Sequence, residues 1–207
     1  MNVLAMLNRI PLLAALSALC LASCTPTAQP PAQEQAEEPP LQGATIGGPF
    51  VLIAEDGSTV RWDDFAGQYR IIYFGYAYCP DICPTDVQRA MTGLKQFAKD
   101  YPQRAAMIQP LFVSIDPERD TPAVLTEFTD NFHPDLIGLT GTPEQLEAAA
   151  KAFASPFSRG EDQPGGGYLM EHLSYTYLFS PEGEPLATLP TDEGPEAVAA
   201  ELARWVR

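Results

Sequence analysis

Three residues separate Cys79 from Cys83 in the stretch Cys79-Pro80-Asp81-Ile82-Cys83-Pro84. Thiols at i and i+4 have two chemistries open to them. Oxidised, they can close a disulfide, because their Cα atoms can approach to about 6 Å. Reduced, they offer two soft thiolates suited to Cu(I) or Zn²⁺. A purely structural disulfide is the weakest reading, since so short a loop gains least from closure. The apolar run Ile71-Ile72-Tyr73-Phe74-Gly75-Tyr76 precedes the pair, and Val87, Met91, Leu94, Phe97, Ala98 and Tyr101 follow it at helical spacing. The pattern predicts a buried strand, a turn carrying both cysteines, and a helix from about Thr85 to Lys99. Each cysteine precedes a proline, which disfavours the α region, so Cys83 is expected at the N-cap with Pro84 first in the helix. A sulfur there would meet unpaired N–H groups and the positive end of the helix dipole, both favouring thiolate.

Two sulfurs rarely hold a metal against competing thiols, so a third ligand is sought among the two histidines. His133, in Asn131-Phe132-His133-Pro134-Asp135, reads as a surface or capping residue. His172 lies between a glycine-rich loop, Gly160–Gly167, and a strand, Ser174–Phe179, entering the core. If that strand neighbours the cysteine-bearing one, the loop folds over the cysteine turn, and His172 becomes the expected third ligand. Asp81, Asp116 and Asp120 are candidates for supporting roles: Asp81 as a turn former or support beside the ligands, the other two holding their loop through backbone hydrogen bonds. Tyr76 and Tyr78 are expected to pack over the sulfurs, and Met170 to fill the core.

The remaining elements are ordinary. Phe50–Ile53 and Thr59–Trp62 flank an Asp-Gly turn and read as a hairpin. Ile108–Ile115 is a buried strand interrupted by Pro110. The polar loop Asp116-Pro117-Glu118-Arg119-Asp120-Thr121-Pro122 leads to a helix, Ala123–Asn131, and a strand, Leu136–Thr140. Thr142-Pro143-Glu144-Gln145 starts a helix running to Phe153. A hairpin, Ser174–Phe179 with Pro185–Leu189, and a last helix from about Pro195 to Val206 complete the pattern. It predicts an α/β fold, a central mixed sheet flanked by helices with an N-terminal hairpin extension, in the thioredoxin-like arrangement of a two-cysteine turn at a helix start.

Residues 1–23 combine Arg9, an apolar stretch and small residues, as a secretory signal does. Leu21-Ala22-Ser23-Cys24 resembles the bacterial lipobox, which makes Cys24 the expected lipidation site and discards Cys20. Residues 24–42 are rich in proline and carboxylates and are expected to form a disordered tether, whose 18 residues after Cys24 would reach roughly 55 Å. The folded domain is then 43–207, exported, lipid-anchored to a bacterial membrane and facing the periplasm. In that oxidising space Cys79 and Cys83 have only each other for an intramolecular disulfide. The formal net charge of −15, with no basic cluster, argues against nucleic acid binding.

Taken together, the cysteine motif, Ser114-Ile115-Asp116-Pro117-Glu118-Arg119-Asp120-Thr121-Pro122, Gly138–Gln145, and Glu171-His172 leading into Tyr175-Thr176-Tyr177-Leu178 resemble the Sco/SenC family of copper metallochaperones. The resemblance runs from about Gly47 to the end of the chain. It implies a thioredoxin-like fold and copper, as Cu(I) or Cu(II), on Cys79, Cys83 and His172. It implies as client the cytochrome c oxidase subunit carrying copper A, with a copper donor protein and a periplasmic thioredoxin-like reductant as further partners. Where the family usually has Asp-His-Ser, this chain reads Glu171-His172-Leu173. The competing reading is a thiol–disulfide oxidoreductase in which Cys79 and Cys83 are a catalytic dithiol reducing client cysteines before metal loading. A peroxidase or a structural zinc site fits less well, the latter because a closed zinc site needs four ligands.

Overall fold

The computed structural model describes residues 37–207; the expected signal segment, Cys24 and most of the tether lie outside them. Seven strands form one mixed sheet in the order β2-β1-β5-β4-β3-β8-β9. Beside its central strand lies β3 (Tyr69–Gly75), buried at every position, as a strand covered on both faces must be. Along its whole length it pairs in parallel with β4 (Ile108–Ser114), from Tyr69 opposite Ile108 to Gly75 opposite Ser114. On its other side β8 (Thr176–Phe179) runs antiparallel, with Thr176 opposite Tyr73. β5 (Ile137–Thr140) continues the parallel set beyond β4. The N-terminal hairpin, β1 (Val51–Ala54) and β2 (Thr59–Arg61), joins that edge antiparallel, so it extends the sheet as expected. β9 (Pro185–Thr188) closes the opposite edge.

Pro110 is accommodated because pairing of β4 with β5 begins only at Leu111, leaving β4 an edge on that side where the proline lacks its N–H. Among the described residues five α-helices accompany the sheet: α1 (Ile82–Asp100), the short α2 (Pro102–Ala105), α3 (Pro122–Asp130), α4 (Pro143–Ala152) and α5 (Pro195–Trp205). The start of α4 is the expected capping box, with Thr142 and Gln145 each bonding the other's backbone N–H. Among the described residues, no helix is long and apolar enough to cross a membrane.

Three expectations need correction. Helix α1 begins at Ile82, not after Cys83, so Cys83 lies inside the first turn and Asp81 is the N-cap. Pro84 is then the third helical residue, still among the four whose N–H groups have no intrahelical partner, and costs no hydrogen bond. The expected glycine-rich loop Gly160–Gly167 is only in part a loop, since Gly160–Asp162 end a strand and the rest is the turn of a hairpin not foreseen in the sequence. Residues 157–172 form a separate two-stranded sheet of β6 (Phe157–Asp162) and β7 (Tyr168–His172), joined through a turn with Gly166 and Gly167 at positive φ. The end of the expected tether is seated on the domain: Leu41 N–H donates to the Leu186 carbonyl at 3.0 Å, and Glu37 pairs with Arg204. Leu41, the one large apolar residue of that segment, packs partly buried against the core.

Helices α1 and α5 meet at Gly93, where a Cβ would lie 2.5 Å from Val198 Cγ1 and 2.8 Å from the Pro195 carbonyl. Gly93→Ala sets a helix-propensity gain of about 1 kcal/mol against that overlap. Overpacking of a filled core costs roughly 1–3 kcal/mol, so net destabilisation is expected in urea unfolding. A variant more stable than wild type would show that the two helices separate freely.

Candidate metal centre

The register places three chain segments at one end of the sheet. The parallel strands β3 and β4 finish level at Gly75 and Ser114, and the ladder closes with Ile115 N–H donating to the Gly75 carbonyl at 2.8 Å. The cysteine loop leaves from the first and the Asp116–Thr121 loop from the second. Antiparallel β8 begins opposite Tyr73, so the chain arriving from His172 enters at the same end. Ligands collect at the carboxyl ends of parallel strands for this reason.

In the cysteine loop, Cys79 N–H donates to the Tyr76 carbonyl at 3.2 Å, turning the chain back. The Cys79 sulfur in turn accepts from Cys83 N–H at 3.4 Å. Both thiols are free and buried, Cys83 completely. Gly75 makes the room: a Cβ there would lie 3.2 Å from the Cys83 sulfur and 2.7 Å from the Tyr73 ring. His172 ends β7 with Nε2 3.3 Å from the Cys83 sulfur. Its Nδ1 lies 3.0 Å from the Leu173 carbonyl, which can only accept. The proton therefore sits on Nδ1, and Nε2 presents its lone pair toward the sulfurs. Leu173, in place of the usual serine, does not disturb this orientation, because a backbone oxygen supplies it. Tyr73 and Tyr76 meet the imidazole edge-on, at centroid distances of 6.2 and 6.0 Å.

The ligand atoms of Cys79, Cys83 and His172 all lie within 4.8 Å of one another, the only such group of three among the described residues. Two sulfurs and one imidazole nitrogen suit a soft or borderline cation. Burial sets the resting charge. It raises the Cys83 thiol well above its usual range and lowers His172, whose Leu173 contact only partly opposes it. The expectation of a thiolate stabilised at the helix start is thus overturned for Cys83: desolvation exceeds the helix-end effect, and the sulfur rests as a thiol. Binding a cation there must release its proton.

The supporting residues divide. Asp120 is fully buried; its carboxylate accepts from Ala77 N–H at 3.0 Å and from the Ser114 hydroxyl at 2.7 Å, tying the cysteine loop to the end of β4. Asp116 is buried too and accepts from the Tyr168 hydroxyl at 2.8 Å and from Arg119 Nε at 2.5 Å. Asp81 is exposed and makes no side-chain cap bond. Tyr76 is buried beside the imidazole, whereas Tyr78 is 54% exposed. Met170 packs partly buried against the core, as expected. His133 lies elsewhere, its Nδ1 accepting from Asp135 N–H at 3.1 Å. Sequence reasoning missed Tyr73, Asp86 and Arg119. The Tyr73 hydroxyl reaches toward buried Asp86 at 3.5 Å, directly behind Cys83; inside an apolar strand, nothing marked it as more than core.

Burial pushes the Asp120 carboxyl up from 3.8 to about 6, against the hydrogen bonds from Ser114 and Ala77. The folded protein therefore keeps this proton where the unfolded chain has lost it. The resulting stabilisation is complete below about pH 4 and lost as pH rises through about 6. Asp120→Asn cannot titrate, so the stability of wild type relative to this variant should fall by on the order of 2–3 kcal/mol between about pH 4 and 7. Paired urea titrations across that range measure it, and a constant difference contradicts it.

The family model described as SCO1/SenC matches residues 38–207. Protein SenC of Rhodobacter capsulatus is 45% identical over 157 residues, covering 75% of this chain and 68% of SenC. The mitochondrial protein SCO2 of Saccharomyces cerevisiae is 41% identical over 141 residues, which are 67% of this chain and 46% of SCO2. The chain thus spans about half the length of that mitochondrial relative. Among solved structures, Arabidopsis thaliana ScoI with copper bound is 33% identical with a TM-score of 0.71, covering 77% of this chain and 96% of that one.

Proposed function

The chain belongs to the SCO1/SenC family, and from that premise we propose that it carries copper on Cys79, Cys83 and His172 to the copper A centre of cytochrome c oxidase. The observation that carries this reading is the convergence of two thiols and an imidazole lone pair within 4.8 Å. Cu(I) is the form such a donor set favours, since thiolates are soft and three ligands leave a side open for exchange. Loading displaces the proton of Cys83, and the neutral imidazole adds its Nε2 without losing a proton. Unloading reverses this: incoming client ligands take the metal while a proton returns to Cys83. An open groove of about 370 Å³ runs along Pro156, Phe157, Glu171 and His172, giving access to the imidazole. Tyr78, Ile82, Leu173 and Tyr175 are exposed next to the ligands in sequence and offer the client an apolar contact.

The oxidoreductase reading draws support from the proximity of two free thiols. Against it stands Cys83, fully buried with its thiol pushed up, a poor nucleophile; only Cys79 could begin an exchange. Dithiol exchange also does not require His172. A copper donor and a thioredoxin-like reductant, which keeps the pair reduced for loading, complete the proposed partners. The signal segment and Cys24 would anchor the domain by lipid at a bacterial membrane, facing the periplasm.

Two experiments bear on this. In Cu(I) titrations of the reduced protein against a chelator, His172→Ala should lose more than the roughly 10–100-fold that residues behind a ligand usually cost. Equal affinities would remove the third ligand and favour the oxidoreductase. Cells carrying Cys79→Ser or Cys83→Ser should fail to assemble copper A, and full assembly by either variant refutes delivery. For the anchor, Cys24→Ser should move the protein from the membrane fraction to the soluble exported pool; retention at the membrane refutes acylation.

A further inference from the structure

The two halves of the ligand set sit on separate pieces of structure. Cys79 and Cys83 belong to a loop and helix rooted in the seven-stranded sheet, whereas His172 ends the β6–β7 hairpin, which shares no ladder with that sheet. Phe157 and Met170 pack partly buried against the core and hold the hairpin down. Apolar contacts of that kind are non-directional and do not set register. A directional connection is needed to keep Nε2 at 3.3 Å from the Cys83 sulfur.

We propose that Arg119 is a positioning residue for this connection: its guanidinium clamps the β6–β7 hairpin to the cysteine loop and so delivers His172 to the two sulfurs. On the hairpin side, Arg119 Nη1 donates to the Tyr168 carbonyl at 2.9 Å, and the guanidinium lies 3.7 Å from the Tyr168 ring centroid. On the loop side, the same group lies 5.6 Å from the Tyr76 ring and 5.5 Å from the Tyr78 ring, the two tyrosines that lead into Cys79. All three distances fall within the range of cation–π attraction. Asp116 holds the centre of the clamp, taking Arg119 Nε on one oxygen and the Tyr168 hydroxyl on the other. Arg119 Nη2 is buried without a hydrogen-bond partner, so aromatic contacts rather than further hydrogen bonds complete its surroundings. A planar fork that donates in two directions while stacking is a task lysine cannot reproduce.

The inference rests on His172 being a ligand, and its test separates the two claims. Cu(I) affinity is measured by chelator competition for wild type, Arg119→Ala, His172→Ala and the double variant, with X-ray absorption of each Cu(I) form reporting the nitrogen ligand. Arg119→Ala should lose about 10–100-fold in affinity together with the nitrogen signal. In the double variant it should add nothing to the loss from His172→Ala, because residues acting through one contact are not additive. Tyr168→Ala removes the hairpin's ring and hydroxyl but leaves the Arg119–Asp116 pair and the bond to the carbonyl of residue 168 in place, so it should show a smaller loss of affinity in the same direction, which keeps the test available if Arg119→Ala does not fold. Wild-type affinity in Arg119→Ala or Tyr168→Ala, alongside a loss in His172→Ala, overturns the clamp and leaves the ligand set standing. A full further loss in the double variant also overturns it, by showing that Arg119 acts on the cysteines or the fold. No loss in His172→Ala removes the ligand and the clamp together.

Discussion

The backbone pairing of β3 governs the rest of this molecule. Its parallel partner β4 ends level with it, and its antiparallel partner β8 begins beside it, so three loops distant in sequence must emerge at one end. Hydrogen bonds of a ladder are individually modest. Their register is not negotiable, however, because slipping by one residue exchanges the faces of a strand. Every position of β3 is buried, so a slip would force the packing on both faces of the sheet to change at once. The ligands inherit their proximity from that constraint rather than from any attraction among themselves.

What the ladder leaves undone is finished by two buried carboxylates in one short loop. Asp120 reaches back to Ala77 N–H and Asp116 reaches across to the Tyr168 hydroxyl, so the segment after β4 grips both neighbours. Burying carboxylates is costly, and each is compensated by donors aimed at it. The Cys83 thiol and the imidazole, by contrast, rest uncharged in their burial, a state that needs little compensation.

Much of this was readable from residue types. Period and apolar runs marked the sheet strands, Thr142 and Gln145 marked the start of α4, and the i, i+4 cysteines with His172 marked the ligands. The misreadings have physical causes. Proline preferences placed the start of α1 too late, because a proline at the third helical position costs nothing. β6 and β7 escaped notice because Ser158, Arg159, Gly160, Glu161 and Asp162 lack the β-branched, alternating character of a half-buried strand; a glycine turn and cross-strand pairing hold them instead. The helix-dipole argument for a Cys83 thiolate failed because burial cannot be seen in a local pattern. Arg119 passed as one charge in a polar loop, since its aromatic partners Tyr76, Tyr78 and Tyr168 are all more than 40 positions away.

The imidazole of His172 takes its orientation from the carbonyl of Leu173, while the Leu173 side chain is exposed. Every amino acid brings the same carbonyl. The side chain at position 173 can therefore change without changing which nitrogen faces the sulfurs. Two demands meet at adjacent atoms without conflict: the main chain answers to coordination chemistry, and the exposed side chain is left to answer to whatever surface passes in front of it.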